Sequence, residues 1–217
     1  MDHTRHLGIF NANNTSVDLI GLGGIGAMTA LVLGKMGIGL INIFDDDTVD
    51  EVNIATQFHK FSDIGNPKAL ATRNALREFT GEENSVSGIM RVNKDTTSLF
   101  SEIIVSAVDS ITARQEIWTA VLENKPRWYL DARMSAETFQ LYCVDMRNAA
   151  RVAQYGDRLM CLNEGDVADE PCTSKATIYC GTLAAAWIGF AVRSIITKKE
   201  LPNILLVNMP AMNMFTV

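Results

Sequence analysis

The feature that most constrains this chain is a set of closely spaced glycines between an apolar segment and a helical one. Residues 16–22 (SVDLIGL) predict a short buried strand. The glycines Gly21, Gly23 and Gly26 at its end have the spacing GxGxxG, and Gly24 is a further glycine within the motif. Residues 27–36 are apolar on most faces and predict a helix that ends at two further glycines. A strand, a glycine turn and a helix in this order predict the first unit of an α/β fold.

Such a glycine turn is suited to an anion. Without a Cβ, the backbone approaches a phosphate closely, and the next helix offers unbonded N–H groups and the positive end of its dipole. Asp45 stands 19 positions after Gly26, at the end of the second predicted strand, where a carboxylate accepts hydrogen bonds from ribose hydroxyls. The pattern predicts nucleotide binding, although it does not choose between NAD and ATP. A turn that only packs a strand against a helix has the same glycines.

Strands and helices alternate along the rest of the chain. Residues 40–44, 86–92, 103–108, 128–132 and 138–145 predict strands, and residues 68–79, 110–123 and 176–197 predict helices. Residues 146–175 lack a sustained period and predict a long crossover loop, while residues 203–207 and 212–217 predict a hairpin around Pro210. We expect one α/β domain over residues 1–217, with a Rossmann-like, doubly wound, mainly parallel sheet and a C-terminal antiparallel hairpin.

Composition and charge disfavour several classes of partner. The net charge of −6 argues against nucleic acid, because an acidic surface repels phosphate backbones. The longest uncharged apolar stretch, residues 176–192, is shorter than the ~20 residues that span a bilayer, so we expect a buried helix and no membrane partner. Without a basic-then-apolar leader or a CxxC pair, we expect a cytoplasmic protein with reduced thiols and no structural zinc.

A second motif follows the strand predicted at residues 40–44. It has the form D-x-D-x-V…N…Q…G-x-P-K-A, and its members are Asp45, Asp47, Val49, Asn53, Gln57, Gly65, Pro67, Lys68 and Ala69. Together with the glycine turn and the Val-Asp-Ser sequence at residues 108–110, it resembles the signature of the ThiF/MoeB/HesA family and of the ubiquitin-activating enzymes. The resemblance covers residues 17–114 well and the remainder more loosely.

The resemblance implies an ATP-dependent adenylyltransferase that uses Mg²⁺. Its substrate is the C-terminal carboxylate of a ubiquitin-like or sulfur-carrier protein, or of a peptide. Carried over by position, the resemblance places Gly24 against the nucleotide phosphates, Asp45 on the ribose, and Asn53 and Gln57 along the nucleotide pocket. Relatives are commonly homodimers, and the resemblance implies a homodimer here.

Two charged residues receive catalytic roles from the same resemblance: Lys68 approaches the phosphates and Asp109 binds Mg²⁺ beside the reacting groups. A carboxylate that attacks a phosphate needs cations to offset the negative charge. Structural explanations stay open for both, because Asp109 or the next residue fits a helix cap and Lys68 fits a solvated lysine in a first turn. Asp46 and Asp47 fit a solvated acidic turn and are left out of the predicted site.

One position departs from the family pattern. Thr56 stands where the family usually has an arginine directed at the ATP phosphates, and a threonine cannot supply a charged bidentate donor. Arg5 is the candidate for a second family arginine, which comes from an N-terminal segment. Two alternatives therefore stay open: a non-catalytic nucleotide-binding partner subunit of such an enzyme and, on the glycine turn alone, an NAD-dependent oxidoreductase.

The cysteines offer one candidate nucleophile. Cys172 precedes the last predicted helix, at the position where many relatives carry a transfer cysteine, and a helix N-terminus favours a thiolate. Cys161 is the second choice, whereas Cys143 and Cys180 fall in apolar segments and are predicted to pack in the core. His59 is predicted near the pocket, and solvent exposure stays equally open.

Overall fold

The computed structural model describes residues 1–81, 83–97, 99, 101–163 and 176–217. The elements are α1 (Thr4–Leu7), β1 (Ser16–Ile20), α2 (Gly26–Lys35), β2 (Leu40–Phe44), α3 (Lys68–Thr80), β3 (Ser85–Gly88), β4 (Ile103–Ser106), α4 (Ile111–Asn124), β5 (Trp128–Ser135), β6 (Thr138–Asp145), α5 (Ala149–Met160), α6 (Ile178–Ile196), β7 (Ile204–Asn208) and β8 (Asn213–Thr216). Two 3₁₀ helices, Glu51–Asn53 and Phe61–Asp63, lie between β2 and α3.

All eight strands form one sheet in the order β3-β2-β1-β4-β5-β6-β7-β8. Neighbours from β3 to β5 are parallel, and neighbours from β5 to β8 are antiparallel. The predicted fold class is confirmed, and the antiparallel part extends beyond the closing hairpin to β5 and β6. The strand order reverses between β1 and β4, and ligands of α/β sheets bind where the carboxyl ends of two such strands separate.

Apolar side chains cover both faces of the sheet. Every residue of β4 is buried, as are all but the first of β1, which is the pattern of parallel strands enclosed on two sides. Helix α2 packs between α3 and α6 on one face, and α4 and α5 pack on the other. Two glycines allow α2 to pack closely against its neighbours. A Cβ at Gly34 would meet Leu76 of α3 at 2.9 Å, and a Cβ at Gly189 of α6 would meet Val32 at 2.7 Å.

The prediction of an irregular loop was wrong for residues 149–160, which form α5. Tyr155 and Leu159 of this helix are buried and Val152 packs against the same core, so the helical spacing of these apolar residues was present in the sequence and was missed. Asn148 caps the helix by accepting hydrogen bonds from the amides of Ala150 and Arg151. Gly156 lies within this helix, and its lack of a side chain leaves room for the Trp118 ring.

Helix α6 is long and apolar enough, by length and composition alone, to cross a membrane. Half of that segment is buried inside the protein, and its small residues pack against α2 and the sheet. Its packing is that of a core helix, in agreement with the buried helix predicted there.

Candidate functional site

The glycine turn connects β1 to α2 at the carboxyl edge of the sheet. Gly21 has φ +86°, and a Cβ there would lie 2.9 Å from the Ala107 carbonyl at the end of β4. A Cβ at Gly26 would lie 1.8 Å from the Gly21 carbonyl oxygen. Both positions therefore require glycine, the first for its backbone conformation and the second because the turn closes on itself.

Unpaired backbone donors cluster in this turn. In the part of the chain that the structure describes, the amides of residues 23–26 have no backbone or side-chain acceptor, whereas the Ala27 amide bonds to the Gly23 carbonyl at 3.2 Å. The Gly21 amide bonds to Phe44 at 2.9 Å. The first turn of a helix leaves such donors free, and they are suited to an anion.

Asp45 holds the turn in place. Its Oδ2 accepts a hydrogen bond from the Leu22 amide at 2.6 Å, and its Oδ1 accepts one from the Asp47 amide at 2.8 Å. Burial raises the pKa of Asp45, while these two hydrogen bonds and the Lys68 charge act in the opposite direction. The residue predicted to hold a ribose is thus also a support for the turn, and each carboxylate oxygen retains a lone pair for a second donor.

His59 contacts the backbone carbonyl of Leu22, the residue whose amide donates to Asp45. Its Nε2 is 3.1 Å from the Leu22 carbonyl oxygen, and the side chain is buried. Burial lowers the pKa of His59, with a smaller opposing contribution from the hydrogen bond to Leu22. The prediction left solvent exposure open, and the structure excludes it. The sequence signal that was available is the position of His59 directly after Gln57 and Phe58, inside the family-like motif.

Lys68 is buried rather than solvated, which removes the structural explanation considered for it. Its Nζ donates to Asp47 Oδ2 at 2.7 Å. The backbone brings the pair together, because the Lys68 amide bonds to the Asp47 carbonyl at 2.9 Å. Asp47, which was left out of the predicted site, is therefore the partner of a residue within it.

Gln57 and Thr56 lie over the turn, after the 3₁₀ helix that ends at Asn53. A Cβ at Gly23 would come within 3.9 Å of Gln57 Nε2, and one at Gly24 would come within 3.3 Å of the Thr56 carbonyl. Gln57 Oε1 is buried without a partner in the described part of the chain. Asn53 Oδ1 accepts a hydrogen bond from the Asp50 amide at 2.9 Å, so one end of this side chain shapes its own turn.

Helix α6 closes the turn from the side of the sheet that carries α2. A Cβ at Gly181 would lie 2.4 Å from the Gly24 carbonyl oxygen, so this helix rests directly on the turn. Met134, near the end of β5, also reaches Gly24, where an added Cβ would meet its Cε at 3.1 Å. Gly24 is therefore enclosed by Thr56, Met134 and α6.

Asp109 follows β4, two residues after Ala107, which bonds to the end of β1 through its amide at 2.8 Å. Its neighbour Val108 lies against the turn, since a Cβ at Gly21 would meet Val108 Cγ1 at 3.0 Å. Asp109 is exposed, and its carboxylate has no hydrogen bond or ion pair among the described residues. The cap of α4 is Ser110, whose Oγ accepts a hydrogen bond from the Ala113 amide at 3.0 Å. The cap explanation therefore does not account for Asp109.

A buried ionic cluster, formed by Asp131, Arg114, Arg133 and Tyr155, lies under the segment that carries Asp109. Arg114 donates to Asp131 and also to the Val108 carbonyl. Asp131 is fully buried and accepts further hydrogen bonds from Arg133 Nε at 2.7 Å and from the Tyr155 hydroxyl at 2.9 Å. Sequence reasoning missed this cluster because its members are spread over β5, α4 and α5.

Two of the three cysteines in the described part of the chain are buried, and the third is exposed. Cys143 and Cys180 are buried, as predicted, and burial raises the pKa of their thiols to about 12 and about 11, respectively. Cys161 is exposed at the end of α5. Cys172, the predicted nucleophile, lies outside the described residues.

Arg5 does not supply a cation to the turn of its own chain. It lies in α1, where the ring of His3 packs against Gly37 beyond the last residue of α2. The glycine turn is at the other end of α2, about 15 Å away for a ten-residue helix.

Most of the predicted nucleotide-binding residues lie at one edge of the sheet: the turn with Asp45, Gln57, Lys68 and, just after the end of β4, Asp109. Free amides and a buried lysine suit phosphates, and the orphaned Gln57 oxygen suits a ligand hydroxyl or amine. Exposed carboxylate oxygens suit Mg²⁺, which prefers hard oxygen ligands. The residues present therefore fit a nucleotide with Mg²⁺.

Comparison with known proteins gives a family and a fold. The ThiF family profile matches residues 4–214. MoeZ of Mycobacterium tuberculosis, a probable adenylyltransferase/sulfurtransferase, is 44% identical over 125 residues, which cover 52% of this chain and 30% of MoeZ. The tRNA threonylcarbamoyladenosine dehydratase of Bacillus subtilis is 28% identical over 109 residues, 48% of this chain and 43% of the dehydratase. This chain thus spans less than half of the length of these relatives.

Among solved structures, E. coli MccB with ATP matches 95% of this chain and 64% of its own, with a TM-score of 0.69 and 17% sequence identity. At that identity the likeness concerns the fold alone.

Proposed function

Since this chain belongs to the ThiF family, we propose that it is an ATP-dependent adenylyltransferase that activates the C-terminal carboxylate of a ubiquitin-like or sulfur-carrier protein, or of a peptide. The observation that carries the proposal is the convergence of unpaired donors and an unpaired carboxylate. The amides of residues 23–26 face no acceptor in the described chain, and Asp109, which follows the adjacent strand β4, is exposed and unbonded among the described residues.

The reaction joins a carboxylate oxygen to the α-phosphorus of ATP and breaks the bond from that phosphorus to the β-phosphate bridging oxygen, so that pyrophosphate leaves. Negative charge accumulates on the phosphate oxygens in the transition state. The amides of residues 23–26 offset this charge as fixed dipoles, and Lys68 offsets it as a buried cation. Asp45 keeps the turn in position and accepts from the ribose.

Mg²⁺, when bound, supplies Lewis-acid stabilisation of the phosphate oxygens. Asp109 is the residue proposed to hold it, because its carboxylate is exposed and has no partner among the described residues. Asp47 is committed to Lys68 and Asp45 to two backbone amides, so neither has the same freedom.

Pyrophosphate exchange tests the proposal. Purified protein is mixed with ATP, Mg²⁺, labelled pyrophosphate and a panel of ubiquitin-fold carriers and peptides with a free C-terminus. We expect label to enter ATP only when a cognate carboxylate is present. ATP binding is measured separately, from the shift in thermal unfolding, because ATP at 100 times its Kd stabilises the folded protein by about 2.7 kcal/mol. A protein that binds ATP but supports no exchange with any carrier contradicts adenylation.

A non-catalytic nucleotide-binding subunit is the second candidate, and Thr56 is the observation that favours it. The family arginine at this position is absent, and the Thr56 backbone carbonyl, not a cation, lies against Gly24. An inactive wild-type protein in which Thr56→Arg confers exchange would support the second candidate. Robust turnover by the wild-type protein would exclude it.

Titration with NADH, followed by fluorescence, distinguishes both candidates from an oxidoreductase. For an oxidoreductase we expect tight NADH binding and no response to ATP.

Cys172 is proposed as the residue that accepts the activated carrier. The support is its place in the sequence shortly before α6, where many relatives have a transfer cysteine. Cys172→Ser is expected to abolish transfer and leave pyrophosphate exchange intact, with Cys161→Ser as the matched control. Equal loss of exchange and transfer would point to a packing role for Cys172.

A further inference from the structure

His59 lies beneath the glycine turn and has no part in the chemistry proposed above. Its side chain is 8% exposed, and its Nε2 lies 3.1 Å from the Leu22 carbonyl oxygen. Because a carbonyl oxygen can only accept, Nε2 carries the proton of this contact and Nδ1 carries a lone pair in the neutral ring. Nδ1 is buried and has no partner in the described chain. The hydrogen bond to Leu22 is therefore the one polar contact that the imidazole makes among those residues.

This contact fixes the orientation of a peptide plane. The Leu22–Gly23 peptide is trans, so its C=O and N–H point in opposite directions. With the carbonyl directed at the buried His59 ring, the Gly23 N–H points away from that ring. It has no acceptor among the described residues, and the nearest atom to a Cβ at Gly23 is Gln57 Nε2, at 3.9 Å.

The preceding peptide is fixed independently. The Leu22 N–H donates to Asp45 Oδ2 at 2.6 Å, so Leu22 is held at its amide by a carboxylate and at its carbonyl by an imidazole. Glycine at position 23 permits rotation of the peptide that joins it to Leu22. Without the imidazole, the Leu22 carbonyl would be a buried acceptor with no donor, and rotation would direct its oxygen toward the anion site.

We propose that His59 is a positioning residue for the nucleotide phosphates: by holding the Leu22 carbonyl it turns the Gly23 N–H toward them. This inference rests on the proposed function, because it assumes that the turn binds a nucleotide through its phosphates. It predicts that His59 contributes to the affinity for ATP and contributes nothing to the affinity for adenosine, which has no phosphate.

Two substitutions separate positioning from packing. In His59→Gln the side-chain amide reaches the place of Nε2 and can donate to Leu22, whereas in His59→Asn it falls short. We expect His59→Asn to weaken ATP binding roughly tenfold, the loss of one hydrogen bond to a charged group, with adenosine binding unchanged. His59→Gln is expected to retain ATP affinity within about twofold. His6→Gln, in the N-terminal helix, is the matched control, and calorimetry measures all four proteins with both ligands.

A measurement on the wild-type protein decides the matter even if a variant does not fold. The backbone amide of Gly23 is followed by NMR during titration with ATP and then with adenosine. We expect a large shift with ATP and none with adenosine. An unmoved Gly23 amide in a protein that binds ATP overturns the inference, as does equal loss of ATP and adenosine affinity in His59→Asn. A wild-type protein that binds no ATP overturns the proposed function itself.

Discussion

At the scale of single residues, the carboxylates around the glycine turn differ in what they are bonded to. Asp45 accepts hydrogen bonds from two backbone amides, and Asp47 pairs with Lys68. Asp109 is exposed and unbonded among the described residues, while its neighbour Ser110 caps the helix. A polar residue that contributes nothing to its own fold is the kind whose replacement affects function without affecting stability.

We therefore predict that Asp109→Asn lowers the rate of pyrophosphate exchange on the order of 100-fold, because the site loses the carboxylate proposed to hold the metal. The free energy of unfolding should change by no more than about 0.5 kcal/mol, since no intramolecular bond is lost. Exchange assays and urea denaturation measure the two quantities. Asp157→Asn, an exposed aspartate of α5, should leave both unchanged. A marked loss of stability in Asp109→Asn would indicate a structural role.

His59 gives the protein a pH dependence with a definite sign. Its pKa is lowered in the folded state chiefly because burial disfavours the charged ring, and the positive charge of Lys68 acts in the same direction. The unfolded chain therefore binds this proton more readily, and stability rises with pH as the unfolded residue loses it, near pH 6.5.

The expected result is a free energy of unfolding that increases from about pH 5 to 7 in the wild type and increases less in His59→Gln, which does not titrate. Denaturation curves across this range test it, with His6→Gln as the control that keeps the wild-type slope. Identical slopes in the wild type and His59→Gln would contradict the assignment.

At the residue scale, a motif indicates which positions come close together, whereas contacts with remote partners could not be predicted. Asp45, Gln57 and Lys68 meet at one edge because their spacing follows one strand and one helix start. Lys68 is paired with Asp47, a contact that depends on how residues 45–49 run beside α3 and that no spacing rule specifies. Whether a charge is solvated or buried is decided by packing, which a single sequence does not contain.

At the scale of elements, the contact between α6 and the glycine turn is set by the absence of two side chains. Gly181 allows the helix to rest on the Gly24 carbonyl, with a Cβ at Gly181 placed 2.4 Å from that oxygen. The oxygen belongs to the backbone and cannot move aside without moving the turn. Helix α6 and the turn therefore have to shift together if a side chain is introduced.

We predict that Gly181→Ala destabilises the protein by about 1–3 kcal/mol, as overpacking does, and weakens ATP binding because the turn is displaced. Gly8→Ala is the matched control, since a Cβ at Gly8 meets nothing within 4 Å and its φ of −70° suits alanine. Thermal denaturation and calorimetric titration are the measurements. Unaltered ATP affinity in a destabilised Gly181→Ala would show that the contact serves packing alone.

Element prediction depended on how much of each element is buried. Strands such as β4, with every residue buried, are continuous apolar runs and were predicted correctly. Helix α5 buries only Tyr155 and Leu159, and its apolar stripe, which Val152 completes, is short and is broken in sequence by Gly156, so it was missed. Its cap, Asn148, was also visible in the sequence, and a cap followed by apolar residues at helical spacing is the signal that indicates a helix start.

At the scale of the whole molecule, Asp131 joins three elements on one face of the sheet. It receives Arg114 from α4, Arg133 from its own strand β5, and Tyr155 from α5. Arg114 also bonds to the Val108 carbonyl, next to Asp109. The fold class followed from the alternation of strands and helices, but this cluster could not, because its members are brought together only when α4 and α5 pack on the sheet.

We predict that Arg114→Met destabilises the protein by about 3 kcal/mol, the lower end of the cost of breaking a buried ion pair, because Arg133 and Tyr155 still bind Asp131. Exchange activity should fall as well, since the support of the Val108 carbonyl is lost. Arg91→Met is the matched control, since it removes an exposed ion pair with Glu116 of α4. It should lower the free energy of unfolding by less than about 1 kcal/mol. Equal losses in the two variants would contradict the role assigned to the buried cluster.

The direct seat of α6 on the Gly24 carbonyl has a thermodynamic consequence. If a bound triphosphate widens the turn, the first residues of α6 move with it. A partner that binds those residues would then change the affinity for the nucleotide by the same factor by which the nucleotide changes the affinity for the partner. The chain enters this helix shortly after Cys172. Nucleotide binding at the turn and partner binding at the start of α6 would therefore be thermodynamically coupled, although the two ligands would not touch.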